Sequence, residues 1–375
     1  MSKLEKFYAT AQSYLEQNQP DRPVLFLSPQ DLEVRHRLFQ KYFPGQVTFA
    51  VKAHPSAAII SALSAQGMRA FDVASPVEIA QIRALAPQAA LHYNNPVRSK
   101  KEIKAAIDAG VTSYAVDRMG ELEKLLLELS QPTEISVRIA LRTQGGTIDF
   151  GSKFGATRAG AIDLLHKIQD RGHRPAMCFH PGTQCLNADA WNIYMAECAK
   201  ISKAAGVKLQ RLNVGGGFPA QRKEDPIDLP HFFETIKTAW RTYFPQDPPK
   251  LLCEPGRALV ADAFKLATHV KAVEGTHVFL NDGIYGCLSE MRDIGISTRF
   301  QVIRDGKSIR NQKTRNFTVF GPTCDSLDVL PAPLALPRDI KEGDYILFDG
   351  TGAYSSAIAT RFNGYGDFEN VFLTR

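Results

Sequence analysis

The chain has no Cys-x-x-Cys pair, and its cysteine and histidine spacings match no zinc pattern, so no metal site is expected. Most of its six cysteines (Cys178, Cys185, Cys198, Cys253, Cys287 and Cys324) read as buried small apolar side chains; Cys324 is a separate case, taken up below. No apolar stretch is long enough to span a bilayer. Residues Met1-Ser2-Lys3-Leu4-Glu5-Lys6 lead into a polar amphipathic segment without a signal-like apolar region, so a cytoplasmic location is expected. Internal repeats, low-complexity tracts and long linkers are absent. There is no concentrated basic patch either. The densest cluster, Arg98-Ser99-Lys100-Lys101, reads as the solvated start of a helix, and the net charge of +6 suits a small anionic ligand at least as well as a polymer. Neither a nucleic acid nor a membrane is an expected partner.

What is present is a long, ordinary globular composition. The 375 residues exceed one typical core, and 44% hydrophobic with 22% charged content is average, so two domains are expected. Strand-like segments at 47–52, 69–74, 90–94, 113–117, 134–141, 175–180, 209–214 and 250–254 alternate with helical patterns such as Ser56–Gln66, Lys100–Ala109 and His231–Tyr243. Several helices close on glycine, as at Gly67, Gly110, Gly172 and Gly206. Eight strands with helices between them predict a closed (β/α)8 barrel, an α/β architecture of the TIM type. An open doubly wound sheet would alternate in the same way without a preference for eight. Past residue 262 the helical period fades, and segments 263–273, 277–281, 299–304, 316–320, 344–349 and 368–373 read as strands of an all-β domain. The strand near Val24 precedes the alternation and is assigned to that domain. The expected division is therefore a barrel at 28–262 and a β domain made of 1–27 and 263–375.

Barrel enzymes work at the carboxyl ends of their strands. Those ends carry Lys52 and His54, Asp72 with Ser75 and Glu78 beyond it, Tyr93-Asn94-Asn95, Arg138, His180-Pro181-Gly182-Thr183, Gly215-Gly216-Gly217, and Glu254-Pro255-Gly256-Arg257. Taken alone, Lys52 is a strand-end cation, His180 a core histidine, the glycine triplet a turn, and Glu254 a local ion-pair partner for Arg257. Converging on one mouth they read differently. Glycines after the seventh strand can turn backbone N–H groups on an anion, in the place where barrels commonly bind phosphate, and Arg257 can add charge. A phosphate site, a strand-end amine, a carboxylate and a histidine together suit pyridoxal 5'-phosphate, with Lys52 holding the aldehyde, Glu254 on the pyridine nitrogen and His180 on the ring face.

Ordered motifs extend this reading. Phe49-Ala50-Val51-Lys52, Phe71-Asp72-Val73-Ala74-Ser75, Lys153-Phe154-Gly155, Phe179-His180-Pro181-Gly182-Thr183, Val214-Gly215-Gly216-Gly217-Phe218-Pro219, Glu254-Pro255-Gly256-Arg257, Asn281-Asp282-Gly283, Gly321-Pro322-Thr323-Cys324-Asp325 and Gly352-Ala353-Tyr354 run from about residue 23 to the C-terminus. With them the chain resembles the fold-type III pyridoxal phosphate-dependent decarboxylases of basic amino acids, and among these the ornithine decarboxylases most.

The resemblance implies Lys52 as the Schiff-base lysine, Glu254 as the pyridinium partner and His180 as the stacking residue. Phosphate contacts would fall on Thr183, Gly217, Gly256, Arg257 and Tyr354, with Gly215 and Gly216 in the same loop. Asp72 and Arg138 would belong to the polar layer around Lys52. It also implies a homodimer with shared active sites, in which Cys324 and Asp325 serve the neighbouring subunit. The implied reaction is loss of CO2 from L-ornithine to give putrescine, a step of polyamine synthesis. Cys324 would be the acid that protonates Cα. The distal ammonium needs an anion: Asp325 first, then Asp293 or Glu290, with Tyr285 also expected near the substrate. The sequence departs from the family at Pro181, where valine is common, and across Tyr285–Asp293, which differs from the animal enzymes. Lysine, diaminopimelate (through Arg292) and N-substituted ornithine, as in siderophore pathways, are alternative substrates. An amino-acid racemase is disfavoured because racemases of this fold set an arginine against the pyridine nitrogen. An inactive regulatory homologue is disfavoured by the joint presence of Lys52, Glu254 and Cys324.

Overall fold

A computed structural model describes residues 7–141, 146–147, 153–309 and 313–374. Residues 1–6, on which the reading of the extreme N-terminus rests, lie outside the described residues. By packing the chain divides into two compact units, one of 36–219 and 228–256, the other of 1–35, 220–227 and 257–375.

The first unit is a parallel sheet of nine segments. Two of them, Gln46–Val47 and Phe49–Ala50, are halves of one strand broken at Thr48. The first half pairs with Lys250–Cys253 and the second with Ala70–Val73, so this one strand joins the two ends of the sheet and leaves eight strands in a ring. The Thr48 amide to the Cys253 carbonyl at 3.0 Å and the Ala50 amide to the Pro255 carbonyl at 3.2 Å continue the seam. The other strands are Ala90–Tyr93, Ser113–Val116, Glu134–Arg138, Arg174–Cys178 and Arg211–Asn213, each parallel to its neighbour. They lie within a residue or two of the expected positions, except that the fifth stops at Arg138, short of 141.

The connecting helices begin where side-chain acceptors meet free N-terminal amides. Ser56 caps Ala57–Ala65, Ser75 caps Pro76–Leu85, Ser99 caps Lys100–Asp108 in a reciprocal box with Glu102, and Thr157 caps Arg158–Asp170. The helix Asp189–Ala205 ends on Gly206 at φ 63°, a left-handed turn that costs glycine little.

One expectation about surface charge is corrected here. Arg98 is 1% exposed, not solvated. Its guanidinium donates to the carbonyls of Tyr93 (3.3 Å), Asn95 (2.6 Å) and Ala115 (2.7 Å), and lies 5.2 and 5.5 Å from the ring centres of Tyr93 and Tyr114. Tyr93 and Ala115 lie near the ends of the third and fourth strands and Asn95 in the loop between, and arginine's fork of donors can satisfy several carbonyls at once. A cluster of three basic residues and a serine hides this because only tertiary contacts distinguish its first member.

The second unit is mostly β, with the order Phe7–Tyr8, Glu369–Leu373, Val24–Leu27, Phe264–Glu274, His277–Leu280, Thr314–Phe320, Leu334–Pro337. Val24–Leu27 pairs antiparallel with Phe264–Glu274 and parallel with Glu369–Leu373, so the early strand does belong to the C-terminal β structure. Tyr345–Asp349 pairs with Phe264–Glu274 and with Phe300–Arg304. Tyr14, Leu15, Phe26, Leu347 and Val371 are among the buried residues of its core. The helix Ser289–Ile294 and the strand Leu334–Pro337 were not anticipated; both are too short for a periodic signal.

Candidate active site

The expected strand running into Lys52 ends two residues earlier. Val51–Ala53 form one 3-10 turn, closed by the His54 amide on the Val51 carbonyl at 3.0 Å, and Lys52 sits in it with its side chain 45% exposed. The strand has already served two neighbours through residue 50, so the backbone is free to turn. Nζ of Lys52 lies 3.4 Å from Oδ2 of Asp72, which is 2% exposed at the end of the second strand.

Asp72 belongs to a chain of polar contacts. Nδ2 of Asn94 donates to Oδ1 of Asp72 at 3.0 Å and to Oε1 of Glu254 at 2.5 Å. Nδ2 of Asn213, at the end of the seventh strand, donates to the same Oε1 of Glu254. Both amides converge on one carboxylate oxygen, leaving Oε2 outside these bonds. Glu254 is buried beside a second carboxylate, and burial first, then Asp72, pushes its pKa up to about 7, against the opposing pull of Lys52, Asn213 and Arg138. Asn94 was named at a strand end without a role, and Asn213 was overlooked. Its position just before Val214-Gly215-Gly216 was the available signal.

Burial and the charges of Lys52 and Arg138 hold the His180 imidazole far below its ordinary pKa. Its Nδ1 accepts the Gly182 amide at 3.2 Å, which leaves the proton on Nε2 and a neutral ring. Arg138 lies 5.3 Å from the ring centre of Phe154 and acts electrostatically on Asp117, His180 and Glu254.

The glycine triplet is demanded by close packing. A Cβ on Gly216 would sit 2.7 Å from the Glu254 carbonyl and 3.2 Å from Nε2 of His180; one on Gly217, at φ 86°, would strike the Gly182 carbonyl. Among the described residues the amides of Gly216 and Gly217 meet no protein acceptor, whereas that of Gly215 donates to Oδ1 of Asn213 at 2.9 Å. Thr183 lies in the facing turn, its carbonyl accepting the Thr147 amide at 2.9 Å. Gly256 packs so closely on the lysine turn that a Cβ would come within 2.7 Å of Ala53 Cβ.

The second unit holds the remaining expected residues. Arg257 pairs with Glu290, not with Glu254 as a local ion pair would have it, and Arg222 pairs with the other oxygen of Glu290 at 3.1 Å. The Arg257 guanidinium lies 5.1 Å from the ring centre of Tyr354, whose backbone is held at φ 52°, a region that costs a non-glycine residue about 1 kcal/mol or more. Asp293 is engaged by its neighbour Arg292 at 2.8 Å. Oδ2 of Asp325 accepts the Tyr285 hydroxyl at 2.6 Å, and its Oδ1 the Leu327 amide at 2.9 Å. The Tyr285 hydroxyl, then the Leu327 amide, hold the Asp325 carboxyl below its usual range. Cys324 is exposed, its amide and thiol both on Oδ1 of Asn363 at 3.2 and 3.3 Å. Two buried carboxylates frame these loops: Asp282 accepts the Gly283 and Cys287 amides, and Asp328 the Ile284 and Thr323 amides.

These donors fit a phosphorylated aldehyde cofactor. An amine at a barrel mouth, a buried carboxylate with one oxygen unspoken for, an uncharged imidazole and two acceptor-less loop amides define the class: a barrel enzyme working through a pyridoxal cofactor. Residues 30–261 match the family of the pyridoxal-dependent decarboxylases, pyridoxal binding domain, and the chain belongs to that family. It is 32% identical to a lysine/ornithine decarboxylase of Selenomonas ruminantium over 354 residues, which is 92% of this chain and 87% of that one. It is 29% identical to an ornithine decarboxylase of Mus pahari over 361 residues, 89% of this chain and 77% of that one. A crystal structure of lysine decarboxylase from Selenomonas ruminantium superposes with a TM-score of 0.83 at 29% identity, covering 98% of this chain and 97% of that one. The protein is thus a pyridoxal-dependent carboxy-lyase acting on basic amino acids. Among its described residues, no helix is long and apolar enough to cross a membrane.

Proposed function

We propose that the enzyme converts L-ornithine to putrescine and CO2 as a homodimer, with Lys52, Glu254, His180 and Cys324 as its working groups. When bound, pyridoxal 5'-phosphate supplies the electron sink that takes up the pair left on Cα as the carboxyl group departs. Lys52 holds the aldehyde carbon through its Nζ, and Asp72 keeps that amine oriented. Glu254 would hold a proton on the ring nitrogen through Oε2, the oxygen left over because Asn94 and Asn213 donate to Oε1. The uncharged His180 ring can lie against an aromatic face without adding positive charge. The phosphate is assigned to Thr183, Gly216, Gly217, Gly256, Arg257 and Tyr354. The Cys324 thiol delivers a proton to Cα.

The observation that carries the substrate reading is the state of three carboxylates. Glu290 is taken by two arginines and Asp293 by Arg292, whereas Asp325 has neutral donors only and keeps its charge for a distal ammonium. Paired in this way, Glu290 is read as a partner of Arg257 and Arg222 rather than of the substrate. The proposed dimer would cover Leu327, 68% exposed and three residues past Cys324, and Phe362, 44% exposed and next to the Asn363 that holds Cys324.

The test is CO2 release from ornithine, lysine, arginine and diaminopimelate, measured side by side with Asp325→Ala. Ornithine should give the largest kcat/KM, and the variant should lose at least tenfold of it, about 1.4 kcal/mol, mainly through KM. A preference for lysine, arginine or diaminopimelate would overturn ornithine as the substrate. Cys324→Ala should bind cofactor normally while its product shifts from diamine toward transamination by-products on chromatography; clean diamine at wild-type rate removes Cys324 from the reaction.

A further inference from the structure

We propose that Asn94 is a positioning residue that couples the counter-ion of Lys52 to the carboxylate assigned to the ring nitrogen, by sharing one amide nitrogen between Asp72 and Glu254. The inference rests on the roles proposed above for Lys52 and Glu254.

The geometry is specific. One NH2 group spends one hydrogen on Oδ1 of Asp72 at 3.0 Å and the other on Oε1 of Glu254 at 2.5 Å. Two carboxylate oxygens cannot both face an amide oxygen, so the orientation of the amide is dictated by its partners. The two acids are 2% and 8% exposed, where neighbouring negative charge is poorly screened, and an uncharged donor between them lowers the cost of ionising Glu254. Asn94 can do this because its backbone is pinned. Its amide donates to the Val73 carbonyl at 3.2 Å, and Arg98 grips the carbonyls of Tyr93 and Asn95 on either side. The buried arginine thus has a task at the barrel mouth: it fixes the loop that carries the bridge. Other groups bear on this pair of acids. Lys52, Arg138, Cys178 and Asn213 face them from the first, fifth, sixth and seventh strands, and Glu78 faces Asp72 from the helix after the second. None of them joins both acids through a single nitrogen.

Asn94→Ala should leave Glu254 harder to ionise. The acid limb of the kcat/KM profile for the loaded enzyme should then move up by about one pH unit, a tenfold loss below the limb. In the cofactor-free protein the folded pKa of Glu254 rises further, so its contribution is kept below the unfolded carboxylate value and lost as pH climbs through the folded one. The thermal midpoint of Asn94→Ala should accordingly fall more steeply than that of wild type between about pH 6 and pH 8. Asp282 titrates in the same window in both proteins and cancels in the difference. Asn94→Ser, which keeps one donor, should lie between the two and serves if Asn94→Ala does not fold. An unchanged acid limb with an unchanged slope of midpoint against pH would overturn the bridge, and so would an equal loss of stability at every pH. If the wild type releases CO2 from no basic amino acid, the decarboxylase reading fails by itself, and the cofactor-free titration still decides on Asn94.

Discussion

In the proposed reading the chemistry turns on Lys52, and its environment sets it apart from an ordinary strand-end lysine. A solvated ammonium on a flexible stem is ordinary at a strand end. This one is placed by a 3-10 turn against a nearly inaccessible aspartate. Lys52→Ala should abolish both activity and the visible absorbance of the purified enzyme; retention of that band would falsify the assignment. Glu254 offers a pH test in the cofactor-free protein. Its folded pKa of about 7 lies above the ordinary 4.5, so the stability it contributes is complete below 4.5 and lost as pH rises through 7. Glu254→Gln keeps the acceptor for Asn94 and Asn213 but cannot ionise. Its thermal midpoint should therefore decline less than wild type between these pH values. The decline should not vanish, because burial raises Asp282 to about 7 as well. The same variant should bind cofactor more weakly, measured by absorbance titration. The positions of these two residues were legible in the sequence because each stands just past a strand and in a motif. The environment that makes them reactive was not, since Asn94 and Asn213 come from strands far apart along the chain.

At the scale of elements, the loops after the third, sixth and seventh strands are built by close approach. Gly217 sits in left-handed backbone against the Gly182 carbonyl. Gly217→Ala adds a strained conformation to a steric clash, and should destabilise the protein by about 1–3 kcal/mol while weakening cofactor binding, read by denaturation and by absorbance titration. The close packing of the glycine triplet had no sign in the sequence, because it needed the facing turn to be seen. The Arg98 clamp makes a sharper prediction. Arg98→Ala leaves buried carbonyls without donors at about 1–3 kcal/mol each, so a loss of about 3 kcal/mol or more is expected in chemical denaturation. The four-residue basic cluster held no local sign of this, because burial of one charged residue depends on which strand ends meet above it.

For the whole molecule, the proposed dimer can be tested by complementation. Lys52→Ala and Cys324→Ala subunits are each deficient alone. If each site draws Lys52 from one subunit and Cys324 from the other, mixed dimers carry one intact site, and an equal mixture should recover about a quarter of wild-type activity. No recovery after confirmed subunit exchange would place both groups in one chain's site.

The alternation of strands and helices in the barrel, the return of the Val24 strand to the C-terminal β structure, and most of the residues at the barrel mouth followed from sequence. Periodicity of 2 or 3.6, capping residues and strand-end position are properties of neighbours along the chain. Tertiary structure alone decided that one strand would break at Thr48 to close the ring, that Arg98 would be buried, that Arg257 would choose Glu290, and that two asparagine amides would meet on one oxygen of Glu254. Each of these depends on distances between residues remote in sequence, and hydrogen bonds and buried charges are set by those distances rather than by the order of the residues.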